Sequence, residues 1–481
     1  MTTAAERLER ALEREAPTWG IRPVPPEQRR LGGFDFAVLW GDLSIGLLVM
    51  LTGALLVPAL GLPAALLAIG VGSVLGCIPL ALVGVAGARE GVPGMVLFRP
   101  VLGVRGSYVP TVLNVVTLVG WTGFELWAMS LVANRVVHLG YGVWLAIVAV
   151  VCTALALGGP IVVIRRWLER FGAWVIGAVG LWITVRLLTR GDLAAMWHAP
   201  GKGGFPGHFL LAVDLVIVMP VSWLPLVADY NRFAKRGVTG ALGTFAGYAI
   251  GNAWFYALGA LLVLAAGLPS FATPGDLGSA VVSLAGGWVV LLALLVGETD
   301  EAFADIYSSA VSSQNLSERI RQRPAVLCVA VLGVGLAAWL GGRPSLAVGN
   351  YEQFLFLLGS VFVPLFGVFM ADYFLLRNRP GDLFAVDALP RFRWRALVPW
   401  VAGFLLYQWS VPTALPGWED GMRTVFHSWL GLPFPLFDSA LGASVPSFLV
   451  ALGLSLVVLE RPRRRMQPAA EAGAAPSVPT V

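Results

Sequence analysis

The sequence predicts an all-α polytopic membrane protein with twelve transmembrane helices, and three observations carry that prediction. Of 481 residues, 57% are hydrophobic and only 13% charged, whereas soluble domains average about 45–50% apolar and about 25% charged. Twelve apolar stretches recur, each close to the roughly 20 residues needed to cross a bilayer core. The basic residues gather on alternate connections between those stretches. A soluble enzyme, a disordered chain and a nucleic-acid binder are thereby excluded, despite a net charge of +5.

The first 34 residues are polar and Arg-rich, and they lack the apolar core of a cleavable signal peptide. Hydropathy then places spans near 35–60, 62–87, 110–137, 142–163, 168–189, 209–228, 240–267, 281–311, 324–341, 351–376, 396–415 and 440–459. Residues 461–481 read as a basic anchor followed by a disordered Ala/Pro tail. Cytoplasmic loops collect Lys and Arg, so the basic residues test this map. The N-terminal segment holds Arg7, Arg10, Arg14, Arg22, Arg29 and Arg30, and the even-numbered connections hold groups such as Arg165, Arg166 and Arg170. The tail adds Arg461, Arg463, Arg464 and Arg465. Of the 33 basic residues, only Arg135, Arg186, Arg190, Lys202, Arg343 and Arg423 fall on the other side. Both termini are therefore expected in the cytoplasm, with the chain in the cell membrane.

Acidic residues break the apolar pattern. Asp42 falls in span 1, Glu125 in span 3, Asp214 in span 6, and Glu298, Asp300, Glu301 and Asp305 in span 8. No Lys or Arg lies mid-span to pair with them. An ionised group at the bilayer centre costs about 3 kcal/mol on insertion scales, so a cationic species, metal ion or proton, is expected to compensate them. Glu298, Glu301 and Asp305 are spaced i, i+3 and i+7 and share one helix face, while Asp300 turns about 160° from them. Trp121 stands one turn from Glu125, a platform suited to a flat polar ligand. Cys77, Cys152 and Cys328 are isolated in apolar runs and are expected to be small core residues. His138, His198, His208 and His427 lie in or beside expected loops, so no His-based metal site is expected.

Two spans carry internal breaks. Span 6 contains Pro220 and Pro225, each of which removes a backbone donor. Span 1 reads Trp40-Gly-Asp-Leu-Ser-Ile-Gly46, polar and glycine-containing where a plain helix would carry Leu and Val. The two breaks are five helices apart. Broken helices at matching positions of an inverted repeat mark a midplane binding site, where freed carbonyls hold a cation and half-helix N-termini receive polar groups. The repeat halves would cover about 35–189 and 209–376. Spacings such as Gly72 with Gly76 are read as packing only.

Several local motifs are familiar. They are Phe98-Arg-Pro-Val-Leu-Gly-Val-Arg-Gly-Ser107, Gly120-Trp-Thr122, Ala228-Asp-Tyr-Asn-Arg-Phe233, Tyr307-Ser308, Val363-Pro-Leu-Phe-Gly367 and Ala371-Asp-Tyr-Phe-Leu-Leu-Arg377. Together they resemble the nucleobase:cation symporter-1 family of purine, cytosine, allantoin and hydantoin permeases. The Met219-to-Tyr230 stretch is most similar to its hydroxymethylpyrimidine branch. The resemblance runs from about residue 17 to 380; the last two helices, within 381–460, are matched by hydropathy alone.

The resemblance implies a LeuT-like five-plus-five inverted repeat in a 35–380 core, two additional helices, and alternating access. It implies a planar heterocycle between Trp121 and Trp223, with Glu125, Glu301, Asp305 and Ser44 as further substrate contacts. It places a coupling ion, Na+ or H+, on Thr299 and Asp300 of helix 8 and around Gly41, Asp42 and Ile45 of helix 1. No other cofactor, no nucleic acid and a functional monomer in the lipid bilayer are expected. Where relatives commonly carry a Gln and an Asn, this chain has Glu125 and Asp305. A carboxylate only accepts hydrogen bonds, whereas an amide also donates, so a ligand richer in N–H donors or positively charged is implied. The leading expectation is a cation-coupled importer of a small nitrogen heterocycle. The alternatives are a proton-driven transporter of a cationic or amine-rich heterocycle and, remotely, a Mg-dependent intramembrane prenyl transferase suggested by the helix 8 acids. A sensor with a transporter fold would typically append an output domain, for which neither terminus is long enough.

Overall fold

In the computed structural model the described residues are 20–158, 172–204, 207–269, 272–285, 288–378, 383–413, 417–436 and 441–460. Arg7, Arg10, Arg14, the Arg165–Arg170 group, and the tail expected to be disordered lie outside them. Regular structure among the described residues is helical, apart from an isolated parallel bridge between Leu31 and Ala234.

The first expected span is two helices, α1 (Gly33–Asp42) and α2 (Leu47–Leu55), meeting at a 62° bend. Next come α3 (Leu62–Glu90), a short α4 (Gly94–Leu102), α5 (Tyr108–Val136), α6 (Tyr141–Gly158) and α7 (Ala173–Arg190). After α8 (Leu193–His198), the second broken span is α9 (Phe209–Ser222) and α10 (Val227–Asn231). The chain continues through α11 (Gly237–Ala266), α12 (Pro274–Ala285), α13 (Trp288–Ser313), α14 (Gln322–Gly341) and α15 (Pro344–Phe369), which runs into a wider π turn over Met370–Leu375. Then follow α16 (Trp394–Ser410), α17 (Trp418–Arg423) and α18 (Ser444–Val458). α3 ends where Gly91 takes φ of 72° and bonds back to Gly87, the left-handed stop that only glycine adopts without strain.

α3, α5, α6, α7, α11, α14 and the Leu346–Leu375 stretch are each long and apolar enough to cross a bilayer, and the bent α1–α2 pair makes an eighth. The other expected spans coincide with α9–α10, α13, α16 and α18. α13 carries four carboxylates, and α9, α16 and α18 have 14, 17 and 15 residues. The span expected at 281–311 requires correction. Its first residues belong to α12, a separate helix, and the membrane-depth helix starts at Trp288.

Packing divides the helices into two bodies. α1, α2, α3, α9, α10 and α11 pack on one another, and α5, α6, α13 and α14 form a second group. α15, α16 and α18 pack together and reach the first body through α9. Close approach explains Gly72 and Gly76 of α3, where a Cβ would lie 2.9 Å from the Val213 carbonyl and 2.8 Å from that of Ile217. Asp214, expected among the membrane acids in need of a cation, has another role. Its carboxylate accepts from the backbone amides of Ala443 and Ser444 and so caps the start of α18. Cys77 and Cys152 are buried as expected, but Cys328 is exposed on α14, because its face of that helix is uncovered among the described residues.

Candidate substrate and cation site

The break in the first span is built from its own small polar residues. The Ser44 hydroxyl donates to the Gly41 carbonyl at 2.7 Å, and the Ile45 amide bonds to the Asp42 carbonyl at 3.0 Å, closing a tight turn after α1. Gly46 is extended, and α2 then begins with unpaired amides. A carboxylate from the other body satisfies them: Glu298 of α13 accepts from Leu47 at 2.5 Å and Leu48 at 3.4 Å. A negative group at the positive end of a helix is the favourable arrangement. Glu301, one turn further along α13, approaches the same spot. A Cβ on Gly46 would lie 2.7 Å from Glu298 Oε2 and would collide with Glu301 Oε1. Gly46 therefore makes room for two carboxylates at once.

The acidic face of α13 is divided between two neighbours. Glu298 and Glu301 face the break, and Asp305 reaches Glu125 of α5 across the helix interface. Asp300 lies on another side, toward Cys152 of α6. The Thr299 hydroxyl bonds to the Val296 carbonyl of its own helix at 2.6 Å. What α13 presents to the break is thus the Glu298–Glu301 pair, rather than Thr299 and Asp300. Gly41, Asp42 and Ile45 line a cavity of about 350 Å³ between α1, α7 and α11, walled by Trp174 and Trp254. Asp42 is 3% exposed, and among the described residues neither of its oxygens has a hydrogen-bond donor; Glu301 is an acidic neighbour. Among the described residues no three His, Cys, Asp or Glu side chains converge to cage a metal ion.

The two tryptophans sit in separate aromatic clusters, both almost fully buried. Trp121 meets Phe354 and Tyr351 of α15 edge-on, with ring centres 5.3 and 5.9 Å apart. The Tyr351 hydroxyl pairs with Thr52 at 2.8 Å and donates to the Leu48 carbonyl at 3.2 Å, which ties this cluster to α2. Trp223 lies where α9 stops, in the non-helical link to α10, and packs edge-on against Trp40 of α1 at 5.9 Å. Trp40 in turn donates to Asn231 at 3.1 Å. Each ring is therefore anchored beside one of the two helix breaks.

Sequence reasoning missed the capping role of Glu298 and missed Tyr351 altogether. The i, i+3 spacing of Glu298 and Glu301 could have signalled the first; nothing local signals the second. It also did not foresee that several residues of the familiar motifs would serve to tie helices together. Asp229 accepts from the Gly94 amide at 2.9 Å, Arg99 donates to Asn315 at 2.7 Å, and Arg393 grips Asp372 with two 3.0 Å bonds. Arg99 and Arg232, expected in loops, are buried, at 4% and 0% exposure.

With this geometry in place, comparison with known proteins is decisive. A family profile described as permease for cytosine/purines, uracil, thiamine, allantoin matches residues 23–423. The chain belongs to that family. The permease is 24% identical to the hydantoin permease of Microbacterium maritypicum, over 79% of its own chain and 80% of the relative. It is 24% identical to the cytosine permease of Escherichia coli K12, over 82% and 88%. Its fold matches Mhp1, a nucleobase-cation-symport-1 family transporter solved in a closed conformation with bromovinylhydantoin bound, at a TM-score of 0.72 and 19% identity over 91% of this chain and 94% of that one. It also matches a Na+-coupled sialic acid symporter in a substrate-bound outward-open state, at a TM-score of 0.63 and 12% identity over 92% of each chain. The permease is thus a polytopic helical membrane transporter of the nucleobase:cation symporter-1 family with a LeuT-like fold.

Proposed function

We propose that this permease imports a small planar nitrogen heterocycle, of nucleobase, hydantoin or thiamine-precursor pyrimidine type, driven by Na+ or H+ through alternating access. The observation that carries the reading is the set of buried carboxylates at the α1–α2 break, which has backbone amides for only one member and no basic side chain. An incoming cation supplies the missing positive charge. It settles at the break among Gly41, Asp42, Ile45 and the Glu298–Glu301 pair, draws α1 and α2 into order, and completes the pocket. The heterocycle then lies between Trp121 and Trp223, with Ser44, Glu125, Glu301 and Asp305 contacting its polar edge. The hydantoin and cytosine specificities of the two relatives and the ligand of Mhp1 favour a flat, hydrogen-bonding substrate. The two bodies meeting at the break fit a rocking motion of five-plus-five repeats. In this reading twelve spans cross the cell membrane, both termini are cytoplasmic, one chain suffices, and no cofactor or catalysis is involved.

Linkage requires that substrate tighten cation binding by the same factor as the reverse, typically about 5–150-fold. The test is thermal stabilisation of purified permease by purines, pyrimidines and hydantoins, with and without Na+ and across pH. Stabilisation that grows with Na+ assigns sodium; dependence on pH alone assigns protons. Trp121→Ala and Trp223→Ala are each expected to abolish ligand-induced stabilisation while the fold is retained. Undiminished stabilisation in both variants would refute the sandwich.

A further inference from the structure

Glu125 and Asp305 are an unusual pair to bury together. Glu125 is wholly inaccessible and Asp305 is 1% exposed. Among the described residues, no amide, hydroxyl or guanidinium donates to either oxygen of Glu125 or to Oδ2 of Asp305. Among the described residues, neither carboxyl forms an ion pair with a basic side chain. The titratable groups that face them are Glu298 and Glu301 from α13 and Tyr230 from α10, none of which carries a positive charge. Yet the two carboxyls stand within hydrogen-bonding reach of each other. Two carboxylates have only acceptor oxygens, so a bond between them requires a proton on one. Two like charges held this close in a buried site share a proton, and the pair titrates as a unit.

We infer that Glu125 and Asp305 hold a single shared proton, and that this pair selects heterocycles with a basic amidine edge, a ring nitrogen beside an exocyclic amino group, by handing that proton to the ring nitrogen. The inference rests on the proposed heterocycle site and names its substrate class. One O–H and several acceptor oxygens first meet the neutral edge, with the O–H pointing at the ring nitrogen and the amino group donating to a carboxylate. The O–H bond then breaks and an N–H bond forms on the ring. The bound species is an amidinium with donors facing two ionised carboxylates, the paired and charge-assisted geometry that gives the strongest such bonds. When the base leaves neutral, the proton returns to the pair. A lactam edge, ring N–H beside a carbonyl, cannot follow this course because its carbonyl oxygen is far too weak a base to take the proton. It binds only as a neutral molecule and gains no ion pair. Ring basicity, rather than ring shape, should therefore order the affinities.

The experiment measures binding to the full-length permease for 2,4-diaminopyrimidine, 4-aminopyrimidine and 2-aminopyrimidine, which fall in that order of basicity, and for uracil and hydantoin. Calorimetry in two buffers of different ionisation enthalpy counts protons. Affinity should rise by about tenfold or more from 2-aminopyrimidine to 2,4-diaminopyrimidine, with both lactams weaker than the diamine. At a pH where 2,4-diaminopyrimidine is already a cation in solution, one proton should be released per molecule bound. Glu125→Gln and Asp305→Asn, which keep shape but remove the shared proton, should each flatten the basicity series, abolish proton release and improve the lactams. A flat series in the wild type, lactams binding as tightly as the diamine, or a steep series surviving in both variants overturns the inference while heterocycle transport stands. Binding by none of the probes overturns both. If a variant does not fold, the wild-type series and its proton count decide alone.

Discussion

Glu298 illustrates how one side chain is shared between the two bodies. Its carboxylate comes from α13, yet its partners are the first amides of α2. Replacing it with Gln keeps an acceptor but removes the charge at the helix N-terminus. We expect Glu298→Gln to cost about 1 kcal/mol of stability, read as a lower unfolding temperature, with a larger loss for Glu298→Ala. Gly46→Ala should be worse than either, since its methyl would enter the space of both carboxylates. It is therefore expected to lower stability and to weaken ligand-induced stabilisation together. The residues of this cluster were legible in the sequence, because mid-span acids at i, i+3 and i+7 are conspicuous in an apolar helix. Their partners were not. Periodicity gives the face a residue shares, but not the neighbour that face meets, so Glu298 was read as part of an uncompensated cluster when it is the one member with backbone donors. Tyr351, which joins Trp121 to α2, comes from α15 and carries no signal in its own neighbourhood.

At the scale of whole helices, breaks were easier to foresee than starts. Gly41, Ser44 and Gly46 interrupt span 1, and two prolines interrupt span 6, so both non-helical links follow from local chemistry. The separation of α12 from α13 was missed because Ala280-Val-Val-Ser-Leu-Ala285 and Trp288-Val-Val-Leu-Leu292 read as one apolar run across Gly286 and Gly287. Hydropathy does not register that one helix ends and another begins within an apolar run. The final helix supplies a test of its own. α18 has 15 residues and is capped from α9 by Asp214. Asp214→Ala should leave two buried amides without an acceptor and cost about 1–2 kcal/mol. The expected sign is earlier proteolysis within 441–460 during thermal titration, with heterocycle binding unchanged. Loss of binding in a folded Asp214→Ala protein would show that these last helices shape the site as well as flank it.

Across the molecule, charge laid out the topology while the motifs served to hold one end together. Arg232 donates to the Gly20 carbonyl at 2.6 Å, to the Asp229 carbonyl at 3.0 Å and to Tyr307 at 3.3 Å, so that it ties the N-terminal segment to α10 and α13. Leu31 extends the same tie by pairing with Phe233 and Lys235. By contrast, the Arg22–Glu318 ion pair is open to solvent at both partners. We expect Arg232→Ala to cost about 2 kcal/mol or more, since buried bonds to a charged donor are lost, and Arg22→Ala to cost less than about 1 kcal/mol. Comparing the two unfolding temperatures, at low and at moderate salt, checks both values. Only the Arg22 effect should fade as salt rises. Motifs such as Ala228-Asp-Tyr-Asn-Arg-Phe233 thus identified the family through residues that lock the basic end, which is why the resemblance could be right about the fold while saying little about ligand chemistry.

The exposure of Cys328 has a practical corollary. Cys77 and Cys152 are enclosed, so a membrane-permeant thiol reagent has a single outward-facing target in the native chain, on the body that contains α13 and α14. A spin label or fluorophore attached there, paired with one engineered cysteine on α3, would record the separation of the two bodies as substrate and ion are added. No background cysteines would first need to be removed.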